Sequence, residues 1–189
     1  MKRSFIIICA LLAAAVGASA QTSAAAKKRV AEIREMYAVA QTDIARADTM
    51  KMEDRLPRND MVVTSDYMVA GAGPCTEVTH YYFTGDYDEN LDRDYFVPYF
   101  IMHKHEVASN TFYQEFLYDE NGDLVFYYEK DITENNETRF YFGSQEQGAN
   151  DEGLVHEIIK NSRTIEPPFA IRYSYELLNA FNNLMNREF

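Results

Sequence analysis

Two histidines one residue apart, His103 and His105, are the side chains of this chain best placed to do chemistry. If the stretch around them is extended, both imidazoles point to one face, as strand-borne metal ligands do. Pairing back across a hairpin closed by the acidic loop near Asn90 sets Glu77 opposite His103 and Cys75 opposite His105. Thiol, carboxylate and two imidazoles on one patch would make a zinc set. With it would come a small metal-dependent hydrolase using His103, His105 and a carboxylate. The plainer reading is two surface histidines on a strand with Lys104 between them.

A second candidate is acidic. The tetrapeptide Tyr-Asp-Glu-Asn occurs at residues 87–90 and again at 118–121, each time beside an aromatic run. An EF-hand calcium loop needs Gly at its sixth position and a bidentate Glu at its twelfth. Counted from Asp86, the first copy has Leu91 and Val97 there; counted from Asp119, the second has Leu124 and Lys130. Neither is an EF-hand, although Asp86, Asp88, Asp92 and Asp94 could gather a cation, calcium foremost, in a less regular loop. The second copy reads as a hairpin, because Asn121-Gly122 tolerates positive φ between two alternating strands. A two-residue turn would set Phe116 opposite Tyr127 and Tyr118 opposite Val125, and a type I turn with a glycine bulge would shift the pairing by one. In the first copy Leu91 replaces the glycine, so the two stretches cannot share a turn.

Aromatic side chains supply the third candidate: 14 Tyr and 12 Phe but no Trp. Tyr81, Tyr99 and Tyr127 stand in runs that put rings on both faces of a sheet. With one face packed on the two helices, the other is left to solvent and could bind a protein or a polysaccharide, since Tyr offers a flat ring with a polar tip. The missing Trp weighs against a carbohydrate platform, and Tyr is in any case a good strand former. Motifs for an activated serine, a phosphate loop, an H-E-x-x-H zinc site or a C-x-x-C pair do not occur.

These residues need elements to position them. From Ala24 to about Lys51, Ile33, Met36, Tyr37, Ala40, Ile44 and Ala47 recur at three- and four-residue steps, predicting an amphipathic helix that ends before Pro57. Strands are predicted at about 61–70, 76–84, 95–107, 111–118, 124–132 and 137–143, separated by gaps too short for crossover helices. Pro98 cannot donate to a ladder, so its strand is either an edge or bulged there. Residues 154–160 fit a last strand or a short helix. After Pro167-Pro168 a second amphipathic helix runs over about 170–187, with Ile171, Tyr175, Leu178 and Phe181 on one face. The expected architecture is α+β: an N-terminal helix, an antiparallel meander of five to seven strands, and a C-terminal helix packed on one sheet face.

Compartment and charge narrow the partners. Met1-Lys2-Arg3, an apolar run over residues 5–17 and Ala18-Ser19-Ala20 form the three parts of a signal peptide, predicting cleavage after residue 20 and export to the periplasm or beyond. The apolar run is shorter than the roughly 20 residues a membrane span needs, and no second such run follows. Residues 21–189 then form a single domain whose formal charge moves from −12 to −14 as Lys2 and Arg3 are lost. That charge disfavours nucleic acid and anionic lipid. Cys75, the only cysteine left after cleavage, cannot close an internal disulfide, so stability rests on the core.

The run QEFLYDENGDLVFYYEKD followed by ETRFYF resembles the hairpin meanders of small secreted proteins of Bacteroidetes-type bacteria, most of unknown function. The resemblance covers about 111–143 and implies an exported bacterial protein without supplying catalytic residues. Helix followed by antiparallel meander is also similar to cystatin-like folds, but the cystatin inhibitory loop pattern is absent here and inhibition is not implied. The reading these features favour is an exported, non-enzymatic binding domain for a protein or polysaccharide, acting through an aromatic sheet face or the acidic loops. No cofactor is expected, with zinc or calcium the candidates if one is present. The hydrolase on His103 and His105 is the alternative.

Overall fold

A computed structural model describes residues 24–46, 59–89 and 92–186 of the chain. The signal peptide expected over residues 1–20 lies outside the described residues. Helix α1 covers 24–46, where Ala, Glu, Lys and Arg dominate and no Gly or Pro intervenes. Its apolar stripe is Ile33, Ala40 and Ile44, all buried, flanked by half-buried Val30, Met36 and Tyr37. The remainder of that predicted helix, 47–51, falls outside the described residues.

Seven strands follow in one antiparallel sheet whose spatial order is the order in sequence. They are β1 (Asn59–Val69), β2 (Gly73–Asp88), β3 (Arg93–Val107), β4 (Asn110–Tyr118), β5 (Leu124–Asp131), β6 (Asn136–Phe142) and β7 (Leu154–Lys160). The ambiguous 154–160 segment is therefore a strand, paired along β6 from Glu137↔Lys160 to Phe142↔Leu154. Helix α2 (Pro167–Met185) starts on its two prolines, which lack the N–H that a first helical turn leaves unpaired. An N-terminal helix, a seven-strand meander and a C-terminal helix against the sheet make the fold α+β.

Pro98 sits in a central strand and is accommodated by a bulge. Phe83 pairs with Pro98 and Tyr82 with Phe100, leaving Tyr99 as the extra residue on β3. The β4–β5 turn combines both sequence alternatives. Gly122 N–H donates to Asp119 C=O with Gly122 at φ +80°, the glycine position of a bulged turn, and Tyr118 pairs with Leu124. A further irregularity at Leu117/Tyr118 restores the tighter register, so Phe116 faces Tyr127.

The two helices do not share a face. On one side α2 lays Ala170, Leu177 and Phe181 against Tyr81, Ile101, Phe116, Tyr127 and Phe140. On the other, α1 lays its stripe against Tyr82, Phe100, Leu117, Phe126 and Tyr141. Each fully buried ring contributes on the order of 2 kcal/mol, which makes these two layers the main source of stability in a chain whose Cys75 thiol is free.

Candidate functional site

Beneath α2 a polar row crosses the sheet. Cross-strand pairing lines up Thr79, His103, Gln114, Glu129 and Thr138 on β2 to β6, and all five are buried. Such groups cost several kcal/mol unless hydrogen-bonded, and here they bond one another and the layer above. His103 Nδ1 meets Thr79 Oγ1 at 2.8 Å and its Nε2 meets the Tyr173 hydroxyl of α2 at 2.9 Å. Gln114 Nε2 donates to the Tyr127 hydroxyl at 3.0 Å and to Glu129 Oε2 at 2.5 Å, and Tyr127 donates to the same oxygen at 2.6 Å. Thr138 meets Thr164 Oγ1 at 3.0 Å. Burial holds the His103 imidazole down to about 4, with Glu77 partly opposing and His105 adding to the shift. His103 is thus a neutral ring with both nitrogens engaged, and the row specifies how α2 sits on the sheet.

The other residues singled out in the sequence fall around this row. Glu77 lies opposite His105, and His103 lies opposite Thr79. Compared with the expected pairing the register is two residues further on: one from the turn, closed at Asp88↔Arg93, and one from the bulge at Tyr99. Cys75, Glu77, His103 and His105 do share a face, but they do not converge. The two imidazoles are 6.1 Å apart between centroids, Glu77 accepts the Tyr67 hydroxyl at 2.5 Å, and Cys75 is buried opposite Val107. His105 stacks on Phe112 at 5.0 Å. Among the described residues no three His, Cys, Asp or Glu side chains are grouped to hold a metal ion.

The first Tyr-Asp-Glu-Asn stretch begins in strand, with Tyr87 and Asp88 closing β2 and Glu89 in the turn that follows. Asp86 and Asp88 alternate with Tyr87 along β2, whereas Asp94 pairs with Tyr87, so Asp94 occupies the register of the opposite face. Asp92, at φ +50°, accepts the Tyr87 hydroxyl. The side chains of Asp86 and Asp88, and residues 90–91, lie outside the described set. Tyr81 and Tyr127 are 2 % and 0 % exposed beneath α2, which corrects the expectation that they form a solvent-facing aromatic surface. The reason is that α2 covers the face they lie on while α1 takes the other, so neither face is left bare.

Clefts bordered by half-buried Tyr37, Tyr99 and Tyr128 run along the two flanks of α1. On one flank Met36, Val39 and Ala40 meet Tyr99, Leu117 and Tyr118 in a cleft rimmed by Glu32, Glu35 and Asp43. Of the three predicted tyrosines Tyr99 borders this cleft, while Tyr81 and Tyr127 are buried. On the other flank Ile33, Arg34 and Tyr37 face Phe126, Tyr128, Arg139 and Tyr141 across a cleft of about 510 Å³, within the range of small-molecule sites. Phe126 stands edge-on to Tyr37 at 5.2 Å and tilted to Tyr141 at 5.1 Å. Arg34 lies over the Tyr141 ring at 5.7 Å and Arg139 over the Tyr128 ring at 4.9 Å.

Under this cleft Glu115 is buried but satisfied: Tyr37 donates to its Oε2 at 2.6 Å and Tyr113 to its Oε1 at 2.7 Å. Burial, reinforced by that carboxylate, pushes both phenols far above their ordinary value, so they remain protonated donors. Arg139 also reaches Glu137 at 3.0 Å, and Lys160 and Lys130 approach the same carboxylate at 3.1 and 3.9 Å. Three cations surround this one carboxylate and hold it below its usual range, the Lys160 hydrogen bond foremost. No protein-family model, no curated protein and no solved structure matches this chain.

Arg34, Arg139, Tyr128 and Tyr141 were not legible as a site in the sequence. They come from one helix and two strands, and only pairing brings Tyr128 beside Arg139 and Phe126 beside Tyr141. The available signal was the alternation of β5 and β6, whose α1-side positions carry rings and cations rather than small polar residues.

Proposed function

We propose that this chain is an exported, non-enzymatic binding domain for a polysaccharide or protein partner, and that it binds through the cleft between α1 and strands β5 and β6. The observation that carries the reading is the lining of that cleft: half-buried Tyr37 and Tyr128 with the guanidiniums of Arg34 and Arg139, over a floor of buried Phe126 and Tyr141. Rings with polar tips give contact area at little entropic cost, and arginine adds direction. Export rests on the basic, apolar and small-residue parts of residues 1–20. The formal charge of −12 for the whole chain disfavours nucleic acid as the partner.

A binding reading is also favoured by what His103 does. A hydrolase using it as a ligand or base would first have to break its bonds to Thr79 and Tyr173. The reading needs no resident metal, so stoichiometric zinc in the purified protein, lost on replacing His103 and His105 with Ala, would count against it.

The direct test uses aromatic NMR of the mature chain, which has no Trp to mask its tyrosines. Titration with a panel of soluble glycans and with secreted-protein fractions should shift the Tyr128 and Tyr141 ring signals, and Tyr128→Ala should weaken binding about tenfold or more. If no ligand in either panel perturbs these rings, the proposal fails.

A further inference from the structure

We infer that the outer edge of β1 is a self-pairing surface, on which a second copy of this chain adds its own β1 antiparallel and joins two seven-stranded sheets into one. This surface is separate from the α1 cleft, and its pairing stands or falls independently of what the cleft binds. The two edges of the sheet differ in how they are protected. β7 carries His156, Glu157 and Lys160, with Glu157 tied to Arg163 and Lys160 to Glu137, and its pairing with β6 is interrupted by a bulge. Charges and bulges of that kind keep a strand edge from recruiting another strand. β1 has neither device: its 11 residues pair with β2 without a register shift, and none is Lys, Arg or Pro. Its two acids bond across to β2, Asp60 to His80 at 3.0 Å and Asp66 to the Thr76 hydroxyl at 2.7 Å. Apolar side chains are left outward, with Val62 56 % and Met68 75 % exposed and Tyr67 and Val69 exposed as well.

The order of those side chains points to the occupant. Residues 61–69 read Met-Val-Val, Thr-Ser-Asp, Tyr-Met-Val, two apolar triplets on either side of a polar one. A two-fold axis perpendicular to the sheet at Ser65 lays one triplet on the other. It sets Met61 against Val69, Val62 against Met68 and Val63 against Tyr67 between the copies. Opposed residues of an antiparallel pair share a face, and these do: Val62 and Met68 fall on the α1 side of the sheet, the other four on the α2 side. Charge selects the axis. Moved to Asp66, it would set two carboxylates opposite each other; moved to Thr64, it would set Val62 against Asp66. At Ser65, Asp66 faces Thr64 and Asp60 faces Ala70.

The size of the contact is sufficient for a dimer. Pairing residues 61–69 of each copy forms about ten main-chain hydrogen bonds, the number that a standard protein interface carries. With the exposed apolar side chains of both strands, it buries on the order of 1,000 Å² in total, the lower bound for a specific interface. Two chains of formal charge −12 repel each other, so the pairing is moderate in strength and depends on salt to screen that repulsion. An unrelated extended peptide could supply the hydrogen bonds, but it would match the two triplets only by coincidence. β7 of another copy would set Glu157 and Lys160 against an apolar edge, and head-to-tail pairing of that kind would run on into an open polymer.

The experiment is sedimentation equilibrium of the mature chain up to about 1 mM, in about 0.15 M salt, where charges more than about 8 Å apart are screened. We expect a concentration-dependent monomer–dimer equilibrium without larger species. Val62→Lys and Met68→Lys, both at exposed positions, should each weaken the dimer at least about tenfold while far-ultraviolet circular dichroism stays unchanged. Under mild oxidation Ser65→Cys should form an intermolecular disulfide, because residue 65 meets its own copy across the axis within the reach of that bond. Met68→Cys, set against Val62, should not, and the parent chain with its buried Cys75 is the control. A chain that stays monomeric up to about 1 mM overturns the inference. So does a dimer that both lysine variants leave intact, since another surface then joins the copies. Open polymers overturn it in favour of β1–β7 pairing, and a dimer in which Met68→Cys crosslinks as readily as Ser65→Cys overturns the two-fold at Ser65.

Discussion

At His103 a side chain that looks chemical in sequence is held neutral by its surroundings. Both ring nitrogens are bonded, to Thr79 and Tyr173, and burial lowers its titration from 6.5 to about 4. The lowered value has a signed consequence for stability. Between about pH 4 and 6.5 the unfolded chain binds a proton at this residue that the folded chain does not, so stability falls as pH falls through that window and levels off below it. The full loss is roughly 3 kcal/mol. Acidic residues titrate nearby, so the comparison is with His103→Gln: urea unfolding from pH 7 to 4 should show a steeper decline in the parent than in the variant. Parallel curves would mean that His103 is not held neutral by the fold. Its neighbour Gln114 makes a second point. Among the described residues its buried Oε1 has no partner, while its Nε2 bonds both Tyr127 and Glu129. Glu129→Gln removes the charge that organises Tyr127 and Gln114. We expect it to cost about 1–3 kcal/mol, read as a lower thermal midpoint.

Turns and bulges set where each strand's side chains fall. The β4–β5 turn is held by Asp119, whose Oδ1 accepts the N–H groups of Asn121 at 3.0 Å and Asp123 at 3.1 Å, with Gly122 at φ +80°. Gly122→Ala meets no steric obstacle but must adopt a conformation unfavourable to an L side chain, so it should cost about 1 kcal/mol. The β3–β4 turn offers the converse, since Ala108 is a non-glycine residue at φ +55°. Ala108→Gly should therefore stabilise by up to about 1 kcal/mol, and opposite shifts of the denaturation midpoint in these two variants are the check. Asn121-Gly122 announced its turn in the sequence because positive φ needs those residues. Ala108 carried no such signal, because what permits its conformation is the pairing of Val107 with Asn110. Pro98 signalled a bulge without saying which neighbour would be extruded.

At the level of the whole molecule, helices on both faces turn a two-sided aromatic sheet into two buried layers. Ile33 is fully buried at the centre of the α1 layer, so Ile33→Ala should destabilise by about 2–5 kcal/mol and loosen the wall of the Arg34–Arg139 cleft. If ligand affinity and stability in that variant are both unchanged, α1 does not form the cleft. Among the described residues no helix is long and apolar enough to cross a membrane, and β1 and β7 are the edge strands of the sheet. The sequence by itself determined the order of elements, the antiparallel meander and the hairpin at Asn121-Gly122, because periodicity and turn chemistry act over a few residues. It also determined that His103 and His105 share a face, since strand alternation is local and a register error of two residues preserves it. Only the tertiary structure decided that α1 and α2 lie on opposite faces, burying Tyr81 and Tyr127 and leaving cleft aromatics beside Arg34 and Arg139. Docking direction depends on the summed shape and burial of both faces, and those rows of side chains are adjacent in space while far apart along the chain.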